Sequence, residues 1–213
     1  MYKHVIWDFD GTLFDSYPIM AAAVKTTLEK QGIYESYDRI MSMMKVSLTH
    51  LYDYIVETYY NSDTLIANAR SYIKEQEIDN MKPYPEVVEV CRRIYKSKRF
   101  NHLYTHRGKS AIEYLKKYKL HEYFSGLITR ESNFQRKPDP GALLYLIEEY
   151  KINKSEALMI GDRDIDILAA KNAGIDGCYY KSYPLFDCDI AKYTITDYSQ
   201  LADLLNGINY LRP

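Results

Sequence analysis

The chain has 213 residues, more than one average core holds and fewer than two would need, so one main domain with an insertion is expected. Hydrophobic residues make up 46% and charged residues 27%, ordinary values that exclude a disordered chain. Lys and Arg total 28 against 29 Asp and Glu, with no run of like charge, so nucleic acid and membrane surfaces are disfavoured as partners and a small-molecule ligand fits better.

The amino terminus, MYKHVIWDFDGT, has no long apolar stretch before its first acidic residue, and no later apolar run approaches the ~20 residues of a membrane span. A cytoplasmic protein is expected. Cys91, Cys178 and Cys188 form neither a CxxC pair nor an even-numbered framework, so they read as reduced thiols used in packing. The 23 tyrosines are scattered along the chain and are assigned no function.

KHVIWDF (3–9) is short, apolar and bounded by the turn-prone Asp10-Gly11-Thr12, and it reads as a buried strand ending in a loop. Residues 16–82 hold helical patterns and no convincing strand. Ile19, Met20, Ala23, Val24, Thr27 and Leu28 line one face up to Gly32; Ile40, Met43 and Met44, then Leu48, Leu51, Tyr52 and Ile55, continue the pattern. Pro83 and Pro85 punctuate the return, and the two crossings into and out of this region are read as a hinge.

Further strands are expected at 102–105, 126–129, 157–161 and 177–180, separated by helical stripes at Ile112, Leu115 and Lys116, at Leu143, Leu144 and Ile147, and at Ile165, Leu168 and Ala169, with Gly174 as a helix stop. The final NYLRP is expected to fray. Alternating strands and helices imply an α/β fold, a three-layer Rossmann-like parallel sheet covered on both faces. Residues 1–15 and 83–213 form that core, and 16–82 an inserted α-helical cap.

Asp8 and Asp10 flank Phe9, so on a strand both carboxylates start on one face, and Gly11-Thr12 then turns the chain away. A lone Asp-Gly would be a capping turn; the DxDGT spacing after an apolar strand points to chemistry. Here the chain resembles the haloacid dehalogenase superfamily, whose phosphatases open with DxDGT, written DFDGTLFDS in this sequence. The family's second motif, a strand-end Ser or Thr, is matched by Thr105 in HLYTHRG, its third by Lys137 in RKPDP, and its acidic pair by Asp162 and Asp166 in GDRDIDILAAKNAG.

The resemblance implies Mg2+ held by Asp8 and Asp162, with the backbone carbonyl of Asp10 and with Asp166 as a further metal-site residue. It implies that Asp8 attacks phosphorus, that Asp10 protonates the leaving oxygen and then deprotonates water, and that Lys137 balances charge. Thr105, with His106 and Arg107 beside it, is expected to bind the phosphate oxygens. His106 and Arg107 depart from the commoner family form, in which Asn follows the Ser or Thr.

The insertion looks like the helical cap of the subfamily that includes phosphoglycolate phosphatases, beta-phosphoglucomutases, phosphonatases and haloacid dehalogenases, in which the cap selects the substrate. Dehalogenases lack the acid equivalent to Asp10, and phosphonatases generally replace it, so its presence favours phosphate-ester hydrolysis. Lys45, where many relatives have Gly, is expected to contact a phosphate or carboxylate of the substrate. A phosphosugar mutase, a phosphonatase and an idle binding protein stay open as alternatives; a receiver domain is disfavoured because its acceptor Asp lies on a later strand. A monomer or homodimer is expected.

Overall fold

The computed structural model describes residues 1–184 and 186–206; the NYLRP segment lies outside them. The described residues form two compact units, one made of Met1–Leu13 with the described part of Pro83–Pro213, the other of Phe14–Lys82.

The first unit is built on a parallel sheet of six strands: β1 (His4–Trp7), β2 (Phe100–Tyr104), β3 (Phe124–Ile128), β4 (Ala157–Gly161), β5 (Asp176–Tyr180) and β6 (Tyr193–Ile195), in the order β3-β2-β1-β4-β5-β6. β1 is central and entirely buried. Side chains alternate across it, as a strand requires. Ile6 joins Met159, Ala157, Leu143 and Ala170 on one face, while the indole of Trp7 donates to the Asn101 side chain at 3.0 Å on the other.

Helices cover the sheet: α5 (Val87–Lys96), α6 (Ser110–Lys117), α7 (Gly141–Glu149), α8 (Asp164–Ala173) and α9 (Tyr198–Asn206). The five expected strands are present: β1 lies within its expected span, β4 has the expected bounds, and β2, β3 and β5 start one or two residues earlier. The short edge strand β6 and the helices α5 and α9 carry no pattern that stood out in the sequence. The buried face of α8 consists of Asp166, Ile167, Ala169, Ala170 and Ala173, so of the expected Ile165, Leu168 and Ala169 only Ala169 is buried. An acidic side chain occupies the inward position there, and hydrophobic periodicity alone places such a residue outside. α8 ends at Gly174, whose N–H bonds back to Ala170 and Lys171.

The order 3-2-1-4-5-6 reverses direction between β1 and β4. In open parallel sheets ligands bind beyond the carboxyl ends of the strands at that reversal. Asp8 follows β1 and Asp162 follows β4, so the topology alone brings these two carboxylates together.

The second unit, among its described residues, contains only helices: α1 (Tyr17–Glu29), α2 (Tyr37–Val46), α3 (Leu48–Thr58) and α4 (Ser62–Asn80). Caps begin two of them. The Ser36 side chain accepts from the N–H of Arg39, and that of Ser47 from the N–H of His50. Met20, Val24 and Leu28 of α1 are buried, as are Ile40, Met41 and Met44 of α2, Leu51 and Ile55 of α3 and Leu65 and Ala69 of α4. No described helix of either unit is long and apolar enough to cross a membrane.

Candidate active site

Asp8 leaves the end of β1 with its backbone N–H donating to the carbonyl of Ile160 on β4, 2.9 Å away, so the ladder itself fixes the backbone that carries this carboxylate. The chain then turns at Gly11, which has a φ of 73°, a conformation that favours glycine. Thr12 follows, and its hydroxyl donates to Asp162 Oδ1 at 3.3 Å. The Tyr198 hydroxyl on α9 donates to the Thr12 carbonyl. The loop after β1 is thus tied down from both sides.

Asp166 enters from the first turn of α8, where a carboxylate also suits the helix dipole. Its Oδ2 accepts from the Arg163 N–H at 3.1 Å. It can approach because β4 ends in Gly161: a Cβ on Gly161 would stand 2.2 Å from the Asp166 Cβ. One oxygen each from Asp8, Asp162 and Asp166 lie within 4.8 Å of one another, and all three residues are buried.

Lys137 sits among them. Its Nζ is 2.7 Å from Asp8 Oδ1 and 2.8 Å from Asp166 Oδ1, over the Tyr104 ring at 4.5 Å, with its side chain fully covered. Burial pushes Asp8 up to about 7, against the pull of Lys137, and the neighbouring Asp166 charge adds to the rise. Burial acts on Asp166 in the same direction, but Lys137 and Arg163 outweigh it and hold this carboxyl below its ordinary range. For Lys137 burial acts downward, and the two carboxylates overcome it and raise the ammonium. Of the three buried carboxylates, two are bridged by one lysine, an arrangement that favours a further cation and oxygen-seeking metals above all.

Thr105, directly after β2, is 2% exposed, and its hydroxyl oxygen accepts the Arg107 N–H at 3.0 Å. With that lone pair engaged, the hydroxyl proton is free to point elsewhere. The His106 ring accepts the backbone N–H of Lys137 on Nε2 at 2.8 Å. Burial, followed by the Lys137 and Arg136 charges, pushes His106 down to about 3, so the ring is neutral and available as an acceptor. Arg107 reaches Asp10: Nη2 lies 2.6 Å from Oδ1, and Nε lies 3.1 and 3.0 Å from the two carboxylate oxygens.

Asp8, Lys137, Asp162 and Asp166 thus form one cluster, with Thr105 and His106 on the loop that carries Arg107 to Asp10. Lys45 belongs to the helical unit, where it is 7% exposed with Nζ 4.4 Å over the Tyr17 ring. Sequence reasoning passed over Thr12, Tyr104, Gly161 and Tyr198. Thr12 is inside the DxDGT motif and Tyr104 directly precedes Thr105, so both were within reach; nothing local marks Tyr198.

Residues 5–179 match the family model described as haloacid dehalogenase-like hydrolase. The chain is 26% identical over 210 residues to the phosphoglycolate phosphatase of Aquifex aeolicus, covering 95% of this chain and 96% of that protein. It is 32% identical over 181 residues to the phosphoglycolate phosphatase of Neisseria gonorrhoeae, covering 80% and 76%. A crystal structure from Geobacter sulfurreducens, described as a haloacid dehalogenase superfamily hydrolase of subfamily IA, variant 1, superposes with a TM-score of 0.75 at 26% identity over 96% of both chains.

Proposed function

The chain belongs to the haloacid dehalogenase-like hydrolase family, and on that premise we propose that it is a magnesium-dependent phosphatase that hydrolyses a small-molecule phosphate monoester through an aspartyl phosphate on Asp8. The observation that carries this reading is the buried cluster of Asp8, Asp162 and Asp166 with Lys137 bridging two of its members. Relatives named phosphoglycolate phosphatase along nearly the whole chain support it.

The donor set fits the metal. Three buried carboxylates offer hard oxygens within 4.8 Å of one another, and Mg2+ prefers such ligands. Asp8 and Asp162 would hold it with the backbone carbonyl of Asp10, and Asp166 would support the site while holding Lys137. When bound, the ion offsets the repulsion between the Asp8 carboxylate and a phosphate dianion.

Asp8 attacks phosphorus with one carboxylate oxygen as the ester oxygen departs, dividing one displacement into two. Asp10 delivers a proton to the departing alkoxide and later removes one from the hydrolytic water. Lys137, fixed by its two carboxylates, balances charge on the nucleophile and on the transferring group, and the Thr105 hydroxyl proton is directed at a phosphoryl oxygen. Arg107 supplies a further phosphate contact. His106 acts on the same oxygens indirectly, by bonding the Lys137 backbone. In the helical unit, Lys45 reads an anionic group of the ester.

The test is phosphate release from p-nitrophenyl phosphate and a panel of sugar phosphates, phosphoglycolate and nucleoside monophosphates. Release with magnesium, loss with EDTA and loss in Asp8→Asn are expected. Hydrolysis that persists in Asp8→Asn would overturn the aspartyl-phosphate route.

A further inference from the structure

The fork between Arg107 and Asp10 sits awkwardly with the task assigned to Asp10. Both carboxylate oxygens accept guanidinium N–H bonds, Oδ1 from Nη2 and Nε and Oδ2 from Nε. To serve the leaving group and then water, Asp10 must turn an oxygen toward each in succession. Two-point pairing of this kind is the most orientation-specific ion pair that side chains form.

Two more contacts hold the arginine in place. Its guanidinium carbon lies 5.3 Å over the ring of Phe9, the residue between the two aspartates, a cation–π distance. Its backbone N–H is bonded to Thr105 Oγ1, so the residue is anchored beside the group assigned to bind phosphate oxygens. The pair is not sealed: the Arg107 side chain is 11% exposed and that of Asp10 25%.

We propose that Arg107 is a clamp on Asp10 that an incoming phosphate oxyanion displaces, so that the substrate itself releases the side chain that serves its leaving group. The proposal rests on the phosphatase reading for its benefit to catalysis. Its physical basis is competition for one fork: a phosphate dianion carries twice the charge of a carboxylate and matches the same planar set of N–H donors. Without ester Asp10 is parked, and with ester the guanidinium turns to the phosphate and Asp10 is free. Arg107 is in this sense a positioning residue for Asp10 as well as a phosphate contact.

Two measurements on the full chain test it. In the first, hydrolysis of p-nitrophenyl phosphate, whose leaving group needs little help, is compared with that of an alkyl phosphate, which depends on Asp10, in the wild type, Arg107→Lys and Arg107→Gln. Loss of a phosphate contact alone weakens both esters equally. Because bound ester has already released Asp10, the alkyl-to-aryl ratio of kcat is expected to stay within about twofold of the wild type in both Arg107→Gln and Arg107→Lys. A ratio that rises about threefold or more shows a clamp that persists with ester bound, and one that falls as far shows an arginine that Asp10 needs; either overturns the proposal.

In the second, the side-chain carboxyl carbon of Asp10 is followed by 13C NMR in aspartate-labelled protein, assigned with Asp10→Asn, during titration with inorganic phosphate. The wild-type signal is expected to move toward the position that Arg107→Gln shows without phosphate. A wild-type signal that stays in place at saturating phosphate overturns the clamp. If the wild type hydrolyses neither ester, the phosphatase reading fails while this second measurement still decides the clamp.

Discussion

Lys137 in the sheet unit and Lys45 in the helical unit are both almost fully buried, at 4% and 7% exposed, yet their surroundings differ in kind. Lys137 lies between two carboxylates at 2.7 and 2.8 Å; Lys45 lies over the face of Tyr17. Carboxylates cancel a lysine's charge and fix its position. A ring face adds an attraction of another kind, through its quadrupole. The first arrangement suits a group that must hold one electrostatic setting throughout a reaction. The contrast teaches that burial of a cation says little until the groups that touch it are named.

The contrast can be broken most sharply at Asp8. Asp8→Asn should lower phosphate release by about 10³-fold or more, because no other carboxylate of the cluster can replace a displaced nucleophile. Lys137→Met comes next. It leaves Asp8 and Asp166 buried without their cation, and a loss of about 3–5 kcal/mol in urea unfolding is expected, together with a rate loss of about 10²-fold. If Lys137→Met proves as stable as the wild type, the cluster is not held together as described.

Magnesium should sharpen the same distinction without any substitution. At about a hundred times its dissociation constant, an ion that binds only the folded state adds about 2.7 kcal/mol. Thermal unfolding should shift upward with magnesium and return with EDTA, and the shift should shrink in Asp162→Asn. In Lys45→Ala the shift should be unchanged, since that residue belongs to the other unit. Its expected effect is about a tenfold rise in KM for the true substrate, with little change for an aryl phosphate. Equal effects on both substrates would remove Lys45 from substrate reading.

The smallest expected effect concerns a buried cationic group that is not charged at all. His102 is fully buried and its ring contacts that of His4 at 3.1 Å. Burial, then the His4 charge, pushes its folded-state value down to about 3, against an ordinary 6.5. Between those values the unfolded chain binds the proton and the folded chain does not. The contribution is therefore intact above about pH 6.5 and is lost on acidification, by about 1.4 kcal/mol per pH unit. Unfolding free energy measured from pH 7 to 5 should fall less steeply in His102→Asn; an identical slope would count against this account.

Much of the fold and much of the site could be read before any coordinates, for physical reasons that also explain the omissions. β1 and β4 are continuous apolar runs because both faces of a central parallel strand are covered, so they stand out, whereas β6 is three residues at the sheet edge and does not. The DxDGT turn is local, and strand alternation places Asp8 and Asp10 without long-range information. The fork from Arg107 to Asp10 joins residues 97 apart, and nothing near either one announces it. His106 looked like a donor to phosphate from its place after Thr105. Its ring instead accepts the Lys137 backbone N–H, a bond that depends on the path of a loop 31 residues on.

Gly161 carries no functional group and touches no reacting atom, yet it sets the clearance of the whole site. With a Cβ there 2.2 Å from that of Asp166, even alanine requires α8 or the end of β4 to withdraw, and Lys137 loses its second anchor with it. A saturation mutagenesis screen would therefore score this position like a catalytic one, intolerant of every replacement, for a reason that is purely one of room. The depth at which the chemistry can sit is limited by a missing methyl group.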